Sequence, residues 1–129
     1  MTVRASFLSI GLAIGSCSLA QADMRVFVID GSSLPYDLNE SNYQNSPGNY
    51  ENSSGNYENS VGNYSNSPGN YKNSRGNYEN GMSGSRRLIT ERNEFLGYYV
   101  YSDHGVLNFY NASGKRIAFM PKGGHTTSV

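Results

Sequence analysis

The sequence predicts a mainly β protein: a small antiparallel meander of about four strands, five if residues 24–29 join it, beside a low-complexity heptapeptide segment that is disordered or turn-rich. Three observations lead there. Residues 42–81 repeat a seven-residue unit built from Asn, Tyr, Ser and Gly. Residues 86–121 are rich in Tyr, Phe, Leu, Ile and Val, which suit strands. Two stretches within that second segment also match each other at a constant offset, Leu88 with Phe109 and Gly97 with Ala118.

Composition narrows the function classes. The 129 residues are 36% hydrophobic and 16% charged, against about 45–50% (Gly included) and about 25% in ordinary globular chains. Such a chain suits one small domain rather than a large enzyme. Ten basic and ten acidic side chains give a formal net charge of +0, so no strong field draws nucleic acid.

Residues 1–22 read as a secretory signal. Arg4 supplies the positive start, residues 7–19 are apolar or small, and Ala20-Gln21-Ala22 is an A-x-A cleavage site. The apolar run is shorter than the ~20 residues a bilayer span needs, so no integral membrane span is expected after cleavage. The expected location is periplasmic or secreted. Ile14-Gly15-Ser16-Cys17 faintly resembles a lipobox, and lipoprotein anchoring through Cys17 is the minority alternative. Cleavage at Ala22 removes the one Cys, leaving neither a disulfide nor a thiol nucleophile.

Residues 23–35 form an N-terminal segment whose M-R-V-F-V-I run reads as a strand, ended by Asp30-Gly31. Residues 36–81 are the array. N-Y-Q-N-S-P-G is followed by N-Y-E-N-S-S-G, N-Y-E-N-S-V-G, N-Y-S-N-S-P-G, N-Y-K-N-S-R-G and a partial N-Y-E-N-G, with a worn copy around Tyr36. One large apolar side chain per heptad, recurrent Gly, and Pro47 and Pro68 exclude a coiled coil. Ser-Pro-Gly-Asn suits a type II turn with Pro at i+1 and Gly at i+2. One Tyr per heptad cannot offset an ordering cost of ~1–2 kcal/mol per backbone residue, so the isolated array is expected to be disordered or loosely turned. The rival is a solenoid-like stack, for which two heptads per rung are expected. Tyr43, Tyr50, Tyr57, Tyr64, Tyr71 and Tyr78 are the candidate contact residues, because regularly spaced phenols can stack on sugars or on each other.

Residues 82–129 read as a β module of two hairpin units. Asn93 and Gly114, the residue types that best tolerate left-handed backbone, close the turns. Ser102-Asp103-His104-Gly105 joins the units. Period-two alternation places Leu96 with Tyr98 on one face, and Ile117 with Phe119 likewise. The module is too small to fold unaided and needs the N-terminal strand, a partner or self-association.

The heptads, followed by F-Y-N-A-S-G-K-R-I at residues 109–117, resemble a group of small exported bacterial proteins of unassigned function. That group carries N-S-P-x-N-Y heptads and then Y-D-x-x-G-x-R-I-G-Y units. Asn111 stands where the group prefers Asp, and Ala118 where it prefers Gly. Residues 126–129 look like the opening of a further unit. The resemblance implies export and an array of β units, but no activity.

No phosphate loop, dinucleotide fingerprint, nucleophile elbow or zinc-protease motif occurs. Asp103, His104 and His125 are the weak candidates for hydrolase or metal chemistry, and Asp103-His104 reads better as a solvated turn. The functional expectation is therefore a non-enzymatic exported protein without cofactor, a β interaction module on a repeat spacer, acting at the cell envelope or outside the cell. Its ligand is unidentified; envelope carbohydrate or another copy of the chain are the partners in view. A self-assembling surface or matrix component is the alternative.

Overall fold

The computed structural model describes residues 23–27, 30–124 and 127–128. The signal and Cys17, together with Val28, Ile29 and His125, lie outside them. Six strands form one sheet in sequential order: β1 (Met24–Val26), β2 (Arg87–Thr90), β3 (Phe95–Tyr101), β4 (Leu107–Asn111), β5 (Arg116–Met120) and β6 (Thr127–Ser128). β2 to β5 are the expected antiparallel meander. β1 joins as a further strand but runs parallel to β2. Parallel neighbours need a long crossover, and the heptapeptide array supplies it. The Asp23 carboxylate takes two hydrogen bonds from Arg87, at 3.0 and 3.1 Å, and ties β1 to β2.

The two hairpin units are copies in three dimensions. Asn93 and Gly114 both adopt positive φ, 67° and 95°. Thr90 Oγ1 accepts the Arg92 and Glu94 amides in the first turn. Asn111 Oδ1 accepts the Ser113 and Lys115 amides in the second. Each unit also carries a bulge at the matching place. In the first, Ile89 faces Phe95 and Leu88 faces Gly97, leaving Leu96 extra. In the second, Tyr110 faces Arg116 and Phe109 faces Ala118, leaving Ile117 extra.

The bulges correct the expected faces. One extra residue flips every side chain beyond it. Leu96 therefore packs on the cluster of Met24, Val26, Leu88, Leu107, Phe109 and Ala118, whereas Tyr98 lies on the other side with Val100 and Tyr110. Ile117 joins the first cluster, while Phe119 lies opposite Asn108 with the Arg116 guanidinium 4.8 Å above its ring.

The array is turn-rich and regular, and one heptad makes one rung. Within each, two successive turns close on backbone bonds. In the fourth copy the Asn66 amide donates to Asn63 O at 2.9 Å, the Ser67 amide to Tyr64 O at 3.1 Å and the Asn70 amide to Ser67 O at 3.1 Å. The leading Asn caps the first turn, its side-chain oxygen accepting the amide two residues on in all six copies. The Ser hydroxyl accepts the Gly amide at 2.9–3.0 Å. The expected type II turn is absent: Gly48 and Gly69 do not adopt positive φ. The Ser hydroxyl bond instead holds the turn, and a Cβ on Gly48 would sit 3.3 Å from it. No bond in this scheme uses the amide of the sixth position, so Pro47 and Pro68 fit where other copies have Ser54, Val61 and Arg75. The worn copy is real too, with a 3-10 turn at Tyr36–Leu38.

Gly97 pairs with Asn111 on β4, and a Cβ there would overlap the Tyr110 carbonyl oxygen and lie 2.8 Å from Asn111 Cα. Gly123 has positive φ but open space around it. Gly97→Ala should therefore cost about 2–3 kcal/mol through overpacking, and Gly123→Ala about 1–2 through backbone strain alone. Urea denaturation of the two variants checks the order; equal midpoints would show that the sheet yields at Gly97.

Candidate binding surface

Each rung presents two rows of side chains in different directions. Three residues make one 3-10 turn, so the Tyr that opens the turn and the Asn that ends it point away from each other. The Asn row faces inward. Asn52, Asn59, Asn66, Asn73 and Asn80 are all buried. Each Nδ2 donates twice to the preceding heptad, to the carbonyls eight and six residues back, at 2.7–3.0 Å. These side-chain amides make the short bonds that join rung to rung; Asn49, Asn63, Asn70 and Asn77 add longer ones, at 3.4–3.5 Å, to the Tyr carbonyl of the preceding heptad. Asn45 does the same toward Asp37 and Asn39 of the worn copy.

The sheet closes over the inner row, one strand to one rung. Tyr98 on β3 donates its hydroxyl to Asn73 O at 2.7 Å. Tyr110 on β4 donates to Asn66 O at 2.7 Å. Arg116 on β5 donates to Asn59 O at 2.6 Å and, through Nε, to Asn108 Oδ1 at 2.8 Å. Asn108 Nδ2 in turn donates to Asn66 Oδ1 at 2.9 Å. At the last rung, Arg86 donates to Asn80 Oδ1 at 3.1 Å and pairs with Glu79 at 2.8 Å. Strands in a sheet lie ~4.8 Å apart, and the stacked rings of Tyr98 and Tyr110 are 5.1 Å apart. Strands β3, β4 and β5 meet the successive rungs of Asn73, Asn66 and Asn59, so the array advances one rung per strand. Array and sheet are therefore commensurate, and the array packs on the sheet rather than holding it at a distance.

Burial perturbs the groups in this seam. It pushes the Tyr98 hydroxyl up to about 12, an effect the nearby Arg75 partly offsets. It pushes Tyr110 higher still in the same direction. Loss of solvent pulls the Arg116 guanidinium down, to about 10. Arg116 therefore stays charged at neutral pH, and its two acceptors and the Phe119 ring stand in for water. Asn73 Oδ1 is buried with no donor.

The outer row is formed by the sequence candidates. Tyr43, Tyr50, Tyr57, Tyr64, Tyr71 and Tyr78 are 63–73% exposed, one per rung. The regular array beneath them brings all six into one row. Their carbonyls serve the turns while their rings touch no other ring among the described residues. Tyr36 extends the row by one worn rung. Asp103 and His104 are placed on the exposed β3–β4 turn, where Ser102 Oγ accepts the His104 and Val106 amides. Among the described residues no group of three or more His, Cys, Asp and Glu could hold a metal ion. No helix there is long and apolar enough to cross a membrane.

Sequence reasoning overlooked the inner seam. The clue was present: Asn recurs at the fourth position as faithfully as Tyr at the second, and Arg116, Tyr110 and Tyr98 are polar-tipped residues within strands. No protein-family model matches the chain, and no curated protein or solved structure matches it significantly.

Two outcomes follow from the seam. Asn66→Ala removes two inter-rung bonds and leaves Asn108 Nδ2 without its acceptor, which should cost about 3 kcal/mol or more. Tyr64→Ala, on the same rung but facing out, should stay within about 0.5 kcal/mol. Urea midpoints compare them, and equal losses would contradict the division of the two rows. The second outcome concerns alkali. The folded state holds the Tyr98 and Tyr110 protons above the ordinary Tyr value near 10. Their stabilisation is complete below pH ~10 and is lost as pH rises from ~10 through ~12. Melting temperature should be flat from pH 8 to 9.5 and then fall. The Tyr98→Phe/Tyr110→Phe pair should start lower and fall less.

Proposed function

We propose that the protein is a non-enzymatic binding module, exported to the cell envelope or beyond, whose Tyr row grips an extended carbohydrate polymer. One observation carries this reading: six phenol rings stand exposed, one per rung, on a regular scaffold packed against the sheet. Exposed aromatic rings are costly unless they meet a partner with an apolar face, and such rows mark interaction surfaces. Sugar rings offer that face. The rung step of ~5 Å, set by the strand spacing beneath, is close to the length of one sugar residue in an extended glycan. Hydroxyls of the polymer would find the Tyr hydroxyls and the polar residues at the third position, among them Glu51, Glu58, Ser65 and Lys72. The signal pattern and the resemblance to exported heptad-bearing proteins support the location.

Pull-down on insoluble peptidoglycan and on a β-linked glucan tests the reading. Each ring contributes about 0.5–1.5 kcal/mol beyond its buried area, so Tyr57→Ala/Tyr64→Ala should weaken binding roughly tenfold or more with its urea midpoint unchanged. Failure to bind either polymer, or equal binding by the variant, would overturn the carbohydrate reading.

A further inference from the structure

We propose that Asn80 is a modification site: its side-chain amide is lost to attack by the Gly81 nitrogen when the last rung opens, and the product cannot rejoin the stack. Cyclisation of this kind is fastest where Gly follows Asn, next fastest where Ser follows, and slow before a bulky residue, because the following amide nitrogen must reach the side-chain carbonyl carbon. The array divides its Asn residues by that rule. The capping Asn of every heptad precedes Tyr, while the inner Asn precedes Ser in five copies and Gly in the last. Asn80-Gly81 is the one Asn-Gly pair of the sequence. Nothing in the backbone asks for Gly there. Gly81 is extended, with φ −90° and ψ −176°, and a Cβ on it would meet nothing nearer than the Tyr78 carbonyl oxygen, at 3.6 Å. Gly81 also forgoes the hydroxyl bond that Ser makes at this position in the five full copies. What Gly81 changes is the reactivity of its neighbour.

The closed rung withholds each requirement of the reaction. Asn80 is 1% exposed, which keeps water out. The Gly81 amide donates its hydrogen to Tyr78 O at 3.2 Å. The leaving group, Nδ2, donates to Lys72 O at 3.0 Å and to Ser74 O at 2.8 Å, and Oδ1 accepts from Arg86 at 3.1 Å. This is also an end rung. It has a neighbouring rung on one side only, and on the other the chain leaves for β2, held by the half-buried Arg86. In the open rung the Gly81 nitrogen bonds to Asn80 Cγ, the Cγ–Nδ2 bond breaks, and Nδ2 leaves as ammonia with the Gly81 proton. Water then opens the cyclic imide at one carbonyl or the other. One opening gives Asp; the other gives an isoaspartyl link that adds a methylene to the main chain. Neither product carries the two N–H groups that bond Lys72 O and Ser74 O. Arg86 can serve one carboxylate oxygen, which leaves the other set against two carbonyl oxygens without a donor. The loss falls on the end of the array that fixes its register on the sheet. It needs no ligand on the Tyr row and is independent of the carbohydrate reading.

The test ages the full chain in mildly alkaline buffer and in concentrated urea, and maps Asp and isoaspartate at every Asn by peptide mass spectrometry. In urea, Asn80 should be modified first, ahead of Asn52, Asn59, Asn66 and Asn73, and Gly81→Ser should remove that lead. In buffer the rate at Asn80 should fall roughly tenfold or more, the factor by which the closed rung outweighs the open one. Arg86→Ala, which frees the rung from β2, should restore much of that rate in buffer and leave the rate in urea unchanged, while Asn66 keeps its amide-exchange protection. The aged wild-type fraction carrying the new charge, separated by ion exchange, should lose exchange protection at Asn80, Gly81 and Arg86 and keep it at Asn66. Equal rates in buffer and urea, earlier modification at another Asn in urea, an unchanged rate in buffer for Arg86→Ala, or full protection at Asn80, Gly81 and Arg86 in the aged fraction would each overturn the proposal.

Discussion

The structure depends on one interaction: the side-chain amide of the fourth-position Asn, bonded to two carbonyls of the preceding heptad. The backbone bonds of the array close turns within a heptad or at its junction with the next, so they fix local shape and not the stack. In a sheet or helix the backbone itself joins one layer to the next. Here that role passes to a side chain, and a primary amide is the short group that suits it, with two hydrogens to satisfy two acceptors. Asp has no such hydrogens, and Gln would need a longer reach. Once sealed by the sheet, each amide works away from competing water, where a lost partner is most costly.

The second constraint is a matched step. The stack advances by a length the sheet also uses, so each strand can place one polar tip on one rung. The seam is correspondingly polar, with two phenols and a guanidinium meeting backbone carbonyls, and Asn108 linking Arg116 to Asn66 Oδ1, around a small patch of Tyr98, Val100 and Tyr110. Identical rungs create a hazard, since sliding the array by one heptad would present the strands with near-identical acceptors. The ends prevent it. Arg86 binds Asn80 Oδ1 and Lys72 O, its own amide is held by Glu79 O, and it pairs with the Glu79 carboxylate. At the other end Leu38 interrupts the Asn row. Register is thus set by the exceptional residues and stability by the repeated ones.

Much of the sheet was legible in the sequence. Strand composition, the duplicated units, and Asn93 and Gly114 as turn closers all follow from local chemistry, and local chemistry is what single residues report. The bulges at Leu96 and Ile117 were not legible, because an inserted residue looks like ordinary alternation until its partner strand is known. The direction of β1 was hidden for a similar reason: three residues of alternating pattern read the same in either sense. The turns of the array were legible, but its regular stacking on the sheet was not. Summing one Tyr per heptad against backbone ordering treats the repeat as solitary, whereas its stabilising groups are amides that count only when the next heptad and the sheet are in place. The Tyr row was found because aromatic residues draw the eye, and the Asn row was missed because Asn is read as turn chemistry.

The division between the rows has a consequence for what the surface can become. Stability resides in positions one, four, five and seven of the heptad, whose side chains or lack of one make the turns and the stack. Positions three and six are exposed or half-buried and hold Gln, Glu, Ser, Lys, Pro, Val and Arg in different copies. Those positions flank the exposed rings, so the charge and bulk around each ring can change without loosening the scaffold. A quasi-one-dimensional array has this freedom because each rung answers only to its neighbours. The sheet limits it, since the inner Asn is most deeply buried at Asn66 and Asn73, where β4 and β3 place a phenol on its carbonyl, and only half-buried at Asn45. Growth of the Tyr row and growth of the sheet are coupled wherever a strand supplies that donor.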